Sequence, residues 1–247
     1  MKILVCISKT PDTTSRIAFK ENNTMFDDAG VQWIINPYDE WYALVRAIEL
    51  KEKDPSVVIH LITVGGADCD PVIRKALALG GEQATRVNST DAGSFNIASQ
   101  IAAIAKTEKY DLVMTGKETI DFNSASVGAM ISELMEYPYV SLATKFDLNG
   151  DTATITREIE GGEEIVEVNL PLVVSCQKGM AEQRIPNMRG IMSARTKPLN
   201  VVEPVPVETT TQLINFVLPP AKAGVKLIPA DNVAELVRLL HEEAKVI

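Results

Sequence analysis

The sequence predicts an α/β fold: a doubly wound parallel sheet with an added antiparallel hairpin region and a C-terminal extended arm and helix. Three features predict it. From Met1 to Met135, short apolar runs rich in β-branched residues alternate with stretches of helical periodicity, the pattern of successive βαβ units. From Val140 to Val168 the period shortens to two, and Asn149-Gly150 and Glu160-Gly161-Gly162 interrupt it where hairpins turn. From Gln177 to Pro219 periodicity is poor, as a basic, methionine-containing segment leads into a proline-spaced extended one ahead of a single helix.

Met1 to Ile7 reads as a fully buried first strand that opens into the turn-forming Ser8 to Thr14. Arg16 to Phe26 alternates around Asn22-Asn23 as a small hairpin ending at Asp27 to Gly30. Asn36 is placed to cap a helix with Pro37 at its first position, and the first-turn carboxylates of Asp39 and Glu40 suit the positive end of the helix dipole. Trp41, Leu44, Val45 and Ile48 share one face, and Lys51 to Pro55 ends the helix. Val57 to Val64 gives a central strand closed by Gly65-Gly66, and Asp70-Pro71 repeats the cap-and-proline pattern for a helix that Gly80-Gly81 stops. Ala84 to Val87 is the third strand, Ser94 to Lys106 the third helix and Leu112 to Met114 the fourth strand. Ser124 is the candidate cap of the next helix, whose small residues Ala125, Ser126, Gly128 and Ala129 allow close approach. After the hairpins Leu172 to Ser175 returns to the core, and Asp231 caps a last helix with Val233, Leu236, Val237, Leu239 and Leu240 on its apolar side. The expected organisation is an α/β domain over residues 1–198, followed by an arm and helix over 199–247. Packing of that arm on a partner subunit and packing back on the same domain both fit.

In doubly wound sheets, ligands bind beyond the carboxyl ends of the strands where strand order reverses. The loops at Cys6 to Asp12, Val64 to Gly66 and Gly116 to Ser124 would line that crevice, beside the helix start at Asn36. The last loop is a candidate phosphate site, because N–H groups at a helix start, the helix dipole and the Lys117 ammonium all favour an anion. It is not a Walker loop, since Gly116-Lys117 is followed by Glu118 and lacks the preceding glycine, and no Gly-x-Gly-x-x-Gly occurs. Taken alone, it reads first as an ordinary strand-to-helix turn.

Composition narrows the function. With 247 residues, 46% of them hydrophobic, the chain can bury a real core. No apolar stretch is long enough to span a bilayer, and Met1-Lys2 runs straight into a strand, so a cytoplasmic protein without membrane insertion is expected. Cys6, Cys69 and Cys176 are far apart and form no Cys-x-x-Cys pair, against a disulfide framework, an iron–sulfur cluster or a structural zinc. A net charge of −9 disfavours nucleic-acid binding, although Arg184, Arg189, Arg195 and Lys197 form a basic segment. His60 falls mid-strand and His241 lies among acidic residues, with no candidate nucleophile near either. No Ser–His–Asp set, metal-ligand spacing or catalytic carboxylate pair emerges, so no bond-making active site is expected. Glu160 to Glu164 reads as a solvated hairpin tip.

Ile155-Thr156-Arg157-Glu158-Ile159-Glu160-Gly161-Gly162-Glu163-Glu164-Ile165-Val166, followed by Leu170-Pro171-Leu172-Val173-Val174-Ser175, closely resembles the signature of the electron transfer flavoprotein β subunit. Blocks similar to the family's occur in its order at Cys6 to Asp12, Asn36 to Glu40, Val64, Ala76 to Gly80, Gly116 to Asp121 and Ile185 to Pro198. The resemblance implies an adenine nucleotide alpha hydrolase-like sheet, heterodimer formation with an α subunit, AMP held in this chain, and an FAD carried mainly by the α subunit. It implies electron shuttling from acyl-CoA or related dehydrogenases, as in fatty acid β-oxidation, to a downstream quinone oxidoreductase or similar acceptor. Position by position, it implies nucleotide contacts at Cys6, Asn36, Pro37, Tyr38, Asp39 and Val64, and along the loop at Gly116, Lys117, Thr119, Ile120, Asp121, Phe122, Asn123, Ser124, Ala125, Ser126 and Val127. The resemblance makes residues 1–198 a nucleotide-binding domain with a recognition loop at about 177–190; Tyr38 resembles the position whose ring approaches the α-subunit flavin, and Met180 falls where that partner-recognition loop carries an exposed apolar anchor.

The chain departs from the family after Asp121, where members usually carry a second acidic residue and a Gln and this sequence has Phe122 to Val127. A related branch splits electron pairs and binds a second FAD in place of AMP, and Val127-Gly128 resembles its pattern. AMP is therefore the first expectation and a second FAD the runner-up. A universal-stress-type ATP module would need a glycine-rich run ending in Gly-Ser after the fourth strand, and an ATP pyrophosphatase a Ser-Gly-Gly-x-Asp-Ser loop after the first. Gly116 to Val127 and Ser8 to Asp12 supply neither.

Overall fold

Alternation along the first strand sets up the fold. In the computed structural model, which describes residues 1–222 and 224–247, β1 spans Lys2–Cys6. Ile3 and Val5 enter one buried cluster while Leu4 and Cys6 enter another, because successive strand side chains point to opposite faces. A strand apolar on both faces has to be covered on both.

The chain continues through β2 (Lys9–Pro11), β3 (Phe19–Lys20), β4 (Met25–Phe26) and β5 (Trp33–Ile35) to α1 (Asp39–Lys53) and β6 (Val58–Val64). Then come α2 (Asp70–Leu79), β7 (Gln83–Val87), α3 (Ser94–Glu108), β8 (Leu112–Gly116) and α4 (Val127–Met135). The hairpin strands β9 (Tyr139–Asn149), β10 (Thr152–Ile159) and β11 (Gly162–Asn169) precede β12 (Leu172–Cys176), α5 (Met188–Ala194), β13 (Leu199–Val202) and α6 (Val233–Arg238). Nine strands form one sheet in the order β11-β10-β9-β12-β8-β1-β6-β7-β13. It is parallel from β9 to β13, and β10 and β11 extend it antiparallel at one edge. α1 and α2 cover one face and α3 and α4 the other. The chain runs outward from β1 to β6 and β7, then returns to β8 on the opposite side of β1, so β1 and β8 flank the point of reversal.

The helix starts differ from the expected caps. α1 begins at Asp39 with Tyr38 as its cap residue, whereas Asn36 spends both ends of its amide elsewhere: Nδ2 donates to the Glu118 carbonyl at 2.8 Å and Oδ1 accepts from Ile120 N–H at 3.1 Å. Asp70 lies inside α2, entered from a 3₁₀ turn at Ala67–Cys69, and its Oδ1 accepts from Arg86 Nε at 2.8 Å. Ser124 precedes the α4 cap position, Ser126, which makes no side-chain cap bond. Asn232, not Asp231, caps α6, accepting from Glu235 N–H at 3.3 Å. At Asn36 and Asp70 a tertiary partner takes the side chain that local chemistry would have given to the helix.

The segment after β12 is more ordered than its weak periodicity suggests. Asn187 Oδ1 accepts from Gly190 N–H at 2.8 Å and starts α5; a Cβ at Gly190 would fall 2.3 Å from the Ala78 carbonyl oxygen, so α5 lies against the end of α2 through a glycine. The proline-spaced arm begins as β13, paired with β7, and Gln100 then holds Val205 by both backbone groups at 2.8 Å.

The chain divides into two units, Met1–Ala18 with Asp27–Ile214, and Phe19–Phe26 with Asn215–Ile247. The first holds the nine-stranded sheet. In the second, the β3–β4 hairpin turns through Glu21, Asn22 and Asn23 in left-handed conformation, and Phe19 stacks on Phe216 with centroids 4.7 Å apart. α6 runs into a π-helical turn at Leu239–Ala244, and neither element contains a buried residue.

Candidate functional site

β1, β6 and β8 end side by side at Cys6, Val64 and Gly116. Their loops, with the starts of α1, α3 and α4, surround a cleft of about 690 Å³, counting the space that opens to solvent. Its walls differ in chemistry. Ile62 and Val64 from the sheet and Ile97 and Ile101 from α3 make an apolar wall. The loop from Lys117 to Val127 makes a second. There Asn123 and Ala125 both adopt left-handed backbone, φ 50° and 49°, which at an alanine costs about 1–2 kcal/mol and marks a conformation its surroundings impose. The first hydrogen bond of α4 runs from Met130 N–H to the Ser126 carbonyl at 3.0 Å; the N–H groups of Val127, Gly128 and Ala129 precede it and have no intrahelical acceptor. Lys117 is the single cation among the described lining residues, and it also meets Glu118 Oε1 at 3.2 Å.

The third wall is acidic. Glu40 is 4% exposed, and its carboxylate accepts from Ser8 N–H at 2.5 Å and Ser8 Oγ at 2.7 Å. Burial pushes its carboxyl up to about 8, and burial raises neighbouring Asp39 to about 6. Burial, with Glu40 and Cys176 nearby, also pushes the Cys6 thiol upward, so it stays protonated. Gly116 makes this wall: a Cβ there would stand 2.8 Å from Glu40 Cγ and 3.2 Å from its backbone nitrogen, so only glycine lets the start of α1 close on the end of β8.

Of the expected nucleotide contacts, Cys6, Val64, Gly116, Lys117, Thr119, Phe122, Ser124, Ala125, Ser126 and Val127 line this cleft. Asn36 and Asp39 stand behind it and fasten the loop, Asp39 Oδ2 accepting from Glu118 N–H at 3.4 Å. Ile120, Asp121 and Asn123 belong to the loop but not to the lining, and Asp121 Oδ1 accepts from Phe122 N–H at 3.0 Å. Pro37 and Tyr38 face a separate hollow of about 380 Å³, with Trp41 and Tyr42. Tyr38 sits at φ 65°, ψ −67°, and Asp39 N–H donates to the Pro37 carbonyl at 2.8 Å, a γ-turn of the strained hand that holds its ring 52% exposed. Met180 is not an exposed anchor: it is 4% exposed in the main core, where a tight turn through Gly179 at φ 108°, closed by Met180 N–H donating to the Gln177 carbonyl at 3.2 Å, carries it inward. The exposed large apolar side chains of that segment are Ile185, at 85%, and Met188, at 72%.

Sequence reasoning did not single out Ser8, and it missed Glu40, Ile62, Ala92, Ser94, Ile97, Ile101 and Thr115 as lining residues. Ser8 lay in the expected crevice loop, and Glu40 showed only as a first-turn acid of a helix. That α3 packs over β6, beside the end of β1, is a consequence of the fold that periodicity does not carry.

Comparison with known proteins then decides the family. A model of the electron transfer flavoprotein domain matches residues 23–207. The electron transfer flavoprotein subunit beta of Bacillus subtilis is 37% identical over 261 residues, covering all of both chains. The chain belongs to the electron transfer flavoprotein β-subunit family. The subunit beta of Syntrophomonas wolfei is 37% identical over 92% of this chain and 90% of its own. A caffeyl-CoA reductase–Etf complex subunit, CarD of Acetobacterium woodii, is 29% identical over 99% of this chain and 98% of its own. Membership makes this chain a subunit of an electron-carrying flavoprotein, on a mostly parallel α/β sheet. Among the described residues, no helix is long and apolar enough to cross a membrane and no cluster of His, Cys, Asp or Glu is suited to a metal ion.

Proposed function

We propose that this electron transfer flavoprotein β subunit pairs with an α subunit as a heterodimer, holds AMP in the cleft at the ends of β1, β6 and β8, and helps enclose the FAD of the α subunit. It docks acyl-CoA or related dehydrogenases, and electrons pass through the complex to a downstream acceptor such as a quinone oxidoreductase. The observation that carries this reading is the convergence of the three strand ends on a cleft with an apolar wall opposite a cationic, N–H-rich loop. An adenine base suits the first and a single phosphate the second. This chain supplies no bond-making step: it binds, orients and excludes water. FAD, when bound by the complex, supplies the redox chemistry.

Tyr38 is the ring we assign to the flavin's surroundings, supported by its exposure on a strained turn. We assign the apolar docking contact to Ile185, and the surface facing the α subunit to the part of residues 199–247 that starts at Asn215, where α6 buries nothing. The test is to purify the chain with its copurifying partner, denature it, and identify the released nucleotides by mass. One AMP and one FAD per heterodimer is expected; two FAD without AMP would assign the cleft to a second flavin, and no nucleotide would overturn the reading. Ile185→Ala is expected to slow electron acceptance from a dehydrogenase with flavin content unchanged. Equal rates across several donors would remove Ile185 from docking.

A further inference from the structure

Among the described residues Glu40 is the buried acid turned into the cleft, and nothing in the reading above uses it. It is 4% exposed, and its two oxygens take one hydrogen bond each, both from Ser8. A carboxylate can accept about four, so about two acceptor sites remain, and among the described residues no lysine or arginine forms an ion pair with it. A buried carboxyl with open acceptor sites on a ligand cleft asks for hydroxyl or amine donors from the ligand.

A nucleoside monophosphate has three chemical parts, and the cleft has three walls. The base, with two apolar faces, matches Ile62, Val64, Ile97 and Ile101. The phosphate is drawn to Lys117 and the N–H groups at the start of α4, which leaves Glu40 to another part of the ligand. The ribose remains, and its 2′ and 3′ hydroxyls are the donors. We propose that Glu40, held by Ser8, accepts hydrogen bonds from the ribose diol and so makes the cleft selective for ribonucleotides. The inference rests on reading the cleft as an adenine nucleotide site. Gly116 belongs to the same device, because the absence of a side chain there lets Glu40 reach its position.

The test compares AMP with 2′-deoxy-AMP and 3′-deoxy-AMP at pH 9, where Glu40 is ionised, by calorimetry on the full chain copurified with its partner and stripped of nucleotide. A hydrogen bond to a charged group corresponds to about a 10- to 100-fold preference, so wild type is expected to favour AMP over at least one deoxy analogue by that factor. Glu40→Gln preserves shape and removes the charge and an acceptor, and it is expected to bind all three within about threefold of one another. Equal weakening of all three with the wild-type ratios kept would mean that Glu40 only supports the loop, and would overturn the proposal. Ser8→Ala guards against a variant that fails to fold: freeing one carboxylate oxygen should lower the AMP preference without abolishing it, and an unchanged preference overturns the proposal. Tight AMP binding by wild type without any deoxy discrimination also defeats it while leaving the cleft reading intact. No binding of AMP at all defeats the cleft reading instead.

Discussion

α1 and α6 are both amphipathic, yet α1 buries Trp41, Leu44, Val45 and Ile48 while α6 buries nothing and leaves Val233, Leu236 and Val237 exposed. Their sequences differ little in kind. What differs is the supply of a counterpart: the unit that holds α1 provides a sheet face, and the unit that holds α6 provides a two-stranded hairpin and one aromatic stack. An apolar stripe says that a face needs cover and leaves open which chain covers it.

That contrast can be broken by single substitutions. Leu44→Ala should cost about 2–5 kcal/mol in denaturant unfolding of the chain, whereas Leu236→Ala should stay within about 0.5 kcal/mol in the chain alone. Comparable losses at both sites would mean that α6 has found cover within its own unit. The next effect concerns pH. Burial raises Glu40 from 4.5 to about 8, so between those values the folded chain keeps a proton that the unfolded chain has released. Its contribution is complete below about pH 4.5 and is lost as pH rises toward 8, amounting to a few kcal/mol. Urea midpoints at pH 5, 6.5 and 8 should therefore fall in wild type and fall much less in Glu40→Gln, where only Asp39, raised to about 6, still contributes below that pH. An identical slope in both would place the titration elsewhere. Lys117→Ala is expected to weaken nucleotide retention about tenfold, the size of one charge-assisted contact; full occupancy after extended dialysis would take Lys117 out of phosphate binding. Smallest of all, Arg238→Ala should leave the melting temperature of the chain unchanged, because its partners Glu235 and Glu242 are solvent-screened surface groups. A clear drop would show that α6 depends on that network.

The alternation of strands and helices was legible because each buried strand of the sheet is a short apolar run between turn formers, and the Asn149-Gly150 and Gly161-Gly162 hairpins were legible because turn chemistry is local. The crevice followed from strand ends alone. What local chemistry could not give was the winner when a side chain had two uses. Asn36 and Asp70 fit a cap by sequence, but Glu118, Ile120 and Arg86 come to them from 16 or more positions away and take them. Met180 and Ile185 are both apolar residues in an irregular basic segment, and only the turn at Gly179 decides that the first goes inward. Glu40 was hidden for a similar reason, since its meaning comes from Ser8 and Gly116, which meet it only after three separate strands and helices have packed.

One amide carries more than its size suggests. Asn36 grips the Glu118–Ile120 loop with both ends, and the next two residues lift the Tyr38 ring into solvent on a γ-turn. The bracket that steadies one wall of the cleft and the pedestal of the exposed ring are thus the same three residues, with no flexible joint between them. A ligand that binds the loop and a partner that meets the ring therefore press on the same short segment, and whatever coupling passes through it has the same free energy in both directions.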